Sequence, residues 1–285
     1  MVGIGPLTTS LGCQMAGSPF QSILKRDRMV VMISLALVVV VAAAYTLMGM
    51  GMNMSALTMT RMAVEMPGMA MQPVGWTPVY ALIVFLMWYV MMIAMMLPSA
   101  APMVLMHAAI GRKYDEAGRP LGATAIFVAG YLTVWMAFSL VATAAQWGLE
   151  SSGIVTGMME VASPAIAGLV LISAGLYQLT PMKGACLRHC QQPLSFVIHH
   201  WRTGMVGAFR MGLEHGCYCL GCCLFLMALL FVGGIMNLIW IAGIAIYVGI
   251  EKFAVGHRWL TIATGIVLTA AGLVMIGSLL LAAWR

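Results

Sequence analysis

The sequence predicts an all-α, polytopic bundle of membrane helices, and three observations lead there. Hydrophobic residues make up 62% of the 285 and charged residues 8%, against about 25% charged in an average soluble domain. So few charges cannot clothe a water-facing surface. Apolar runs of helical length recur along the chain, and the basic residues sit in clusters between them, as membrane topology requires.

The first run, Met29–Met48, has twenty residues, enough to cross a hydrocarbon core of about 30 Å at about 1.5 Å per residue. Further runs lie at roughly 76–97, 121–147, 164–180, 217–233, 237–250 and 259–283. Seven helices is the expected count and six the alternative, because the fourth to sixth runs are short. The segment 217–250 also reads as a re-entrant pair. With the N-terminus in the cytoplasm, Lys25, Arg26, Arg28, Arg112, Lys113, Arg119, Lys183, Arg188, Arg202, Arg210, Lys252 and Arg258 all fall inside. Only Arg61 and Arg285 fall outside. The net charge of +6 is therefore a topology signal for a bacterial inner membrane, with nothing that points to nucleic acid.

Residues 1–28 lack the basic-then-apolar order of a signal peptide. They read as a flexible cytoplasmic tail, with Met29 a second candidate start. The membrane domain then spans 29–285. It carries a methionine-rich external loop over 49–75 and a cysteine and histidine cluster over 183–223 on the cytoplasmic side. In that reducing compartment structural disulfides are disfavoured, and metal or redox roles for thiols gain weight.

Three groups of side chains are candidate metal ligands. The external loop region holds Met48, Met50, Met52, Met54, Met59, Met62, Met66, Met69 and Met71. The alternation Met-x-Met-x-Met-x-Met is not the period of a buried helix face, and Gly49, Gly51, Gly68 and Pro67 interrupt it. Thioether sulfur is a soft donor that suits Cu(I) better than zinc or magnesium. The competing reading is methionine as apolar filler at the membrane surface.

In the helix that follows, Met87, Met91 and Met95 recur at i, i+4, i+8, with Met92 and Met96 as a second stripe beside them. Such a ladder could pass Cu(I) from one thioether to the next. It could equally be packing or a lipid-facing surface. Pro98 and Pro102 are expected to kink this helix ahead of Met103, Met106 and His107.

The third group holds six of the seven cysteines. His215-Gly216-Cys217-Tyr218-Cys219-Leu220-Gly221-Cys222-Cys223 runs on into the apolar stretch from Leu224, at the expected mouth of a membrane helix. On a helical wheel His215, Cys219, Cys222 and Cys223 share one side, and Cys217 points away. Cys186-Leu187-Arg188-His189-Cys190 supplies a second i,i+4 thiol pair with a histidine beside it. A four-coordinate ion bridging the two segments would take Cys186, Cys190, Cys219 and Cys222, with His189, His215 and Cys223 as alternatives. Buried cysteine as a small hydrophobe is the competing reading. Copper is the expected ion, and zinc the alternative if the cysteines and histidines act alone.

Other features are smaller. Gly212-x-x-x-Gly216, with Gly221, would let a neighbouring helix come close. Glu251–Lys252 and Arg210–Glu214 read as local ion pairs, and His199-His200-Trp201-Arg202 as a ligand pair or an interfacial anchor. A Ser-His-Asp set, a P-loop and a dinucleotide fingerprint are missing from the sequence, so an enzymatic role is not indicated.

Three segments together resemble one known family: Met87 to Pro102, Tyr177 to Cys190 and Gly216 to Cys223. It is the family of predicted metal-binding integral membrane proteins, a domain of unknown function, and the resemblance runs from about residue 48 to 255. It implies a membrane fold and a metal ion held by cysteines and histidines. More loosely, a methionine-rich exterior followed by Met-x-x-x-Met in a membrane helix is similar to the design of high-affinity copper transporters, whose helix number differs. The function classes left open are Cu(I) binding and transport, assembly or accessory service to a membrane metalloenzyme, and thiol redox chemistry. A lipid bilayer, a metal ion and a metalloenzyme or cytosolic metallochaperone are the partners these imply. The expected topology puts the C-terminus outside, so a reporter active only in the cytoplasm should be silent when fused after Arg285.

Overall fold

A computed structural model describes residues 19–49, 55–65, 75–114, 120–156, 159–254, 256 and 258–284. The described residues form eleven helices. They are α1 (Pro19–Leu47), α2 (Ala56–Glu65), α3 (Pro78–Tyr114), α4 (Pro120–Ser151), α5 (Pro164–Leu179), α6 (Pro181–Gln191), α7 (Pro193–His200), α8 (Gly204–Ala228), α9 (Leu230–Gly233), α10 (Leu238–Phe253) and α11 (Arg258–Ala283). Six of them begin at a proline, whose missing N–H costs nothing in a first turn and whose fixed φ suits it.

Among the described residues five helices are long and apolar enough to cross a membrane: Met29–Leu47, Pro78–Gly111, Gly122–Ser151, Gly204–Gly233 and Arg258–Ala282. A sixth crossing is available if α5 and α6, bent by 66° at Thr180, count as one span. The bend has a local cause. Pro181 disfavours helical backbone at the residue before it, and Thr180 is extended at φ −73°, ψ 147°, capping α6 by accepting from the Lys183 N–H.

The expected seven crossings are therefore not found, because α10 has 16 residues and spans about 24 Å. The re-entrant reading of 217–250 also fails, since the fifth apolar run is the second half of the continuous helix α8. Helix α1 begins at Pro19, inside the expected tail, and α2 occupies part of the expected external loop. Met50, Met52, Met54, Met66, Met69 and Met71 lie outside the described residues. Pro98 and Pro102 do not end α3, which continues to Tyr114.

Helix directions follow from pairwise contacts. Helix α3 runs antiparallel to α4, since Trp88 meets Gln146, Met96 meets Tyr131 and His107 meets Thr124. Helix α8 runs parallel to α4 in close contact. A Cβ on Gly212 would lie 2.1 Å from the Phe127 carbonyl oxygen, and one on Gly130 would lie 2.3 Å from that of Phe209. Glycine is thus required at both, as the Gly-x-x-x-Gly spacing suggested. Helices α5 and α11 form a second close antiparallel pair through Gly168, Gly175, Gly265 and Gly272. One end of the bundle carries α2 and Met48 and may be called the methionine end. The other carries Arg188, Arg202 and Arg258 and is the basic end.

Because α5 and α10 both start at the methionine end and stop partway, a cavity of about 690 Å³ opens beneath them. Gln178, Thr180, Arg188, Gln191, Glu251, Arg258 and Thr261 are among its lining residues. Behind this cavity a polar network ties the α5–α6 bend to α10. The Lys183 ammonium is fully buried and donates to both Glu251 carboxylate oxygens, at 2.9 and 2.7 Å. Gln178 accepts from Lys183, Tyr247 donates to Glu251 at 2.7 Å, and the Gln191 amide donates to the Glu251 carbonyl at 2.8 Å. Lys183 is thus a structural cation inside the bundle, in place of the solvated topology charge expected. Removing one partner of such a pair strands the other, at about 3–5 kcal/mol. Lys183→Met should lower thermal stability in detergent accordingly, and Lys183→Met combined with Glu251→Leu should recover part of the loss.

Candidate metal centre

The cysteine-bearing segments converge at mid-bundle. The run His215–Cys223 begins eleven residues after Gly204 and ends ten before Gly233, the limits of its span. It therefore lies at the centre of the span, where the sequence had suggested its mouth. The reason is that His215, Glu214 and Arg210 interrupt the apolar pattern without ending the helix. Glu214 accepts from Arg202 at 3.0 Å through one carboxylate oxygen, and not from Arg210 as its i,i+4 spacing implied; its other oxygen is buried with no hydrogen-bond partner among the described residues.

Helix α6 lies alongside α8 and brings its thiols to the same level. Gly221 makes this approach feasible, since a Cβ there would lie 2.9 Å from the Cys186 sulfur. Cys190 packs against the apolar cluster that holds Cys219, Cys222 and Cys223. The last three are buried. Each of Cys222 and Cys223 also donates to the Cys219 carbonyl at 3.0 Å. Cys219, Cys222 and Cys223 of α8 are thus brought together, with half-buried Cys186 and Cys190 of α6 packed against them. Cys217 is exposed, as the helical wheel suggested. Among the described residues no group of three or more His, Cys, Asp or Glu side chains is arranged to hold a metal ion. The α8 sulfurs are engaged with the Cys219 carbonyl, Tyr131 and Lys252 instead.

Three residues that the sequence did not assign to the centre complete it. Lys252, buried on α10, donates to the Cys219 sulfur at 3.0 Å and to the Ser99 hydroxyl at 2.8 Å. The Tyr131 hydroxyl lies 3.1 Å from the same sulfur and donates to the Met96 carbonyl at 3.1 Å. Ser99 also donates to that carbonyl, at 2.8 Å. The expected Glu251–Lys252 pair is absent, because adjacent helical residues diverge by about 100°. Glu251 faces Lys183 while Lys252 faces the thiols. A lysine directly after an apolar run of helical length was the one available signal in the sequence.

His215 adjoins the thiols and is buried among aromatic rings. Its ring centroid lies 5.6 Å from Tyr131, 6.2 Å from Phe127 and 5.5 Å from Phe196. Its Nδ1 has no hydrogen-bond partner among the described residues. An orphaned nitrogen in an apolar interior costs about 1–3 kcal/mol, so a ligand atom beside the thiols is held at some expense. His107 has a structural environment instead, with Nδ1 3.3 Å from the Thr124 hydroxyl and its ring stacked on Phe127.

The methionine stripes of α3 face inward. Met87, Met91, Met92, Met95 and Met96 are all buried and belong to one apolar cluster with Cys219, Cys222 and Cys223. The lipid-facing reading is therefore excluded. Met59 of α2, Met159, Met227 and Met236 join the same cluster, so thioethers extend through it toward the methionine end. Met48 is exposed at the end of α1. Near that end Glu150 accepts from Trp76 and Gln146, and Gln146 accepts from Trp88. This polar chain flanks the methionine cluster and left no local pattern in the sequence.

No protein of curated function and no solved structure matches the chain. One family does, over residues 85–275, which include the methionine helix, both cysteine segments and Lys252. The described residues are all-helical, with helices able to span a membrane, and this match covers more than half of the chain. The protein belongs to the copper chaperone family PpoB2.

Proposed function

We propose that this protein is a membrane copper chaperone that takes Cu(I) onto its buried thiols and hands it to a copper enzyme. The observation that carries the reading is the convergence of the α6 and α8 cysteines on a core cluster rich in thioethers. Thioether and thiolate are both soft donors, and the pairing selects Cu(I) among biological ions. Thiolates hold it more strongly than thioethers, so affinity rises from the methionine end to the centre. In the bacterial inner membrane, with the basic end cytoplasmic, the loop carrying Met48, Met50, Met52 and Met54 captures the ion. Met87, Met91 and Met95 conduct it inward. Two of Cys190, Cys219, Cys222 and Cys223 receive it, with Cys186 and His215 as further ligands.

Charge arithmetic supports the assignment. Cu(I) on two thiolates carries one net negative charge, and the Lys252 ammonium beside Cys219 balances it. A zinc ion on four thiolates would carry two, and one ammonium would leave the centre unbalanced in a medium where bare charge is costly. Purified protein reduced and loaded with copper should therefore hold Cu(I). Cys190→Ser and Cys219→Ser should remove it, while Cys13→Ser and Cys217→Ser should leave it. Zinc without copper in the purified protein, or equal copper in all four variants, would return the cysteines to packing.

A second reading, net import across the membrane, is favoured by the 690 Å³ cavity at the basic end. Its wall includes Glu251, next in sequence to Lys252, so the thiol centre lies close to an opening on that side. Copper accumulation in cells with and without the protein separates the two. Accumulation that rises with the protein supports import, and unchanged accumulation with retained copper binding supports the chaperone role alone.

A further inference from the structure

Helices α6 and α7 meet at a cleft of about 250 Å³ that the thiol centre does not use. Three of the protein's six histidines line it: His189, His199 and His200. Each ring is anchored in the same way. His189 Nδ1 lies 2.9 Å from the Ala185 carbonyl, His199 Nδ1 2.8 Å from that of Ser195, and His200 Nδ1 3.0 Å from that of Phe196. A carbonyl can only accept, so Nδ1 carries the proton in all three. In a neutral imidazole the lone pair then sits on Nε2. A carbonyl on one ring nitrogen, with the other nitrogen bare, is the arrangement that orients a histidine for a metal.

Two of the rings are also fixed in position. His189 stacks on Tyr218 at 4.0 Å with an interplanar angle of 1°, and His200 stacks on Phe196 at 4.6 Å and 14°. The two imidazole centroids are 6.3 Å apart, with planes crossing at 71°. At metal–nitrogen bonds of about 2.0–2.1 Å, one ion fits between rings at that separation. His199 is exposed at the rim and His189 and His200 are half-buried, so solvent reaches them.

A plainer account would make these histidines cations that favour the C-terminal dipoles of α6 and α7. Dipole placement alone does not explain why three rings from two helices line one cleft. Location adds a second argument. His189 precedes Cys190 in α6, and its ring covers Tyr218, the neighbour of Cys219. The cleft is thus one residue removed, in both segments, from the thiol centre.

We propose that His189 and His200, with His199 at the rim, form a second metal site of imidazole nitrogens for the cargo ion. It lies at the basic end, and it rests on the thiol reading given above. Imidazole is a borderline donor that binds Cu(I) less tightly than thiolate. The site would therefore hold the ion where a partner can reach it.

The test uses the full chain in detergent, titrated anaerobically with Cu(I) against a competing chelator, with X-ray absorption reporting the ligand atoms. The wild type should bind a tight, sulfur-coordinated ion and a weaker, nitrogen-coordinated one. His189→Gln/His200→Gln should lose the weaker ion and keep the tight one. His199→Ala/His200→Ala, confined to the short surface helix α7, should weaken the same class and serves if the first pair fails to fold. Cys190→Ser/Cys219→Ser should show the reverse loss. Nitrogen-coordinated copper that persists at unchanged affinity in both histidine variants, or only sulfur-coordinated copper in the wild type, overturns the second site. A wild type with no sulfur-coordinated copper would instead overturn the thiol reading, whatever the histidines do.

Discussion

An ammonium in the middle of an apolar bundle must find negative charge or strong acceptors close by, because bare charge is too costly to bury. Lys252 finds the Cys219 sulfur and the Ser99 hydroxyl. That contact draws four helices to one point. Ser99 comes from α3, Cys219 from α8 and Lys252 from α10, while Tyr131 of α4 reaches the same sulfur. The methionines of α3 then fall on the side of that point facing the methionine end, and the α6 thiols on its flank. A second buried lysine, Lys183, is neutralised one residue away by Glu251. The two cations thus divide the end of α10 between them, one serving structure and one serving the thiols.

Small residues make such crowding feasible. Helix α8 must both pack tightly and present ligands, and the two tasks alternate along it. Gly212 and Gly216 admit α4, Cys219 faces Lys252, Gly221 admits the Cys186 thiol, and Cys222 and Cys223 return to the cluster. A larger residue at Gly221 would push α6 outward and part Cys190 from Cys219 and Cys222. Packing and chemistry are therefore set by the same stretch of chain.

Much of this was legible in the sequence. The Met-x-x-x-Met period placed five methionines on neighbouring stripes, and all five are buried. The wheel separated Cys217 from its neighbours, and the Gly-x-x-x-Gly spacing marked the α4 contact. The errors came from reading polarity as position. His215, Glu214 and Arg210 break the apolar run, so the run begins at residue 217, thirteen residues after the helix itself, and its cysteines read as lying at a helix mouth. Lys183 and Lys252 were counted as topology charges because their partners lie 68 and 33 residues away, beyond any local pattern. Crossings were overcounted for the converse reason. Hydropathy records that the α10 run is apolar, but not that it ends in the interior on a pair of charges.

That early ending of α5 and α10 has an electrical consequence. Water entering the cavity beneath them would carry the potential of the basic side deep into the bundle. The voltage across the membrane would then fall mainly over the thioether-rich portion above the thiols. A univalent ion moving along that portion would feel most of the drop, about 2.3 kcal/mol for each 100 mV. In the orientation proposed above, with the basic end cytoplasmic and negative, the field alone would drive the proposed Cu(I) cargo toward the cysteines and oppose its return.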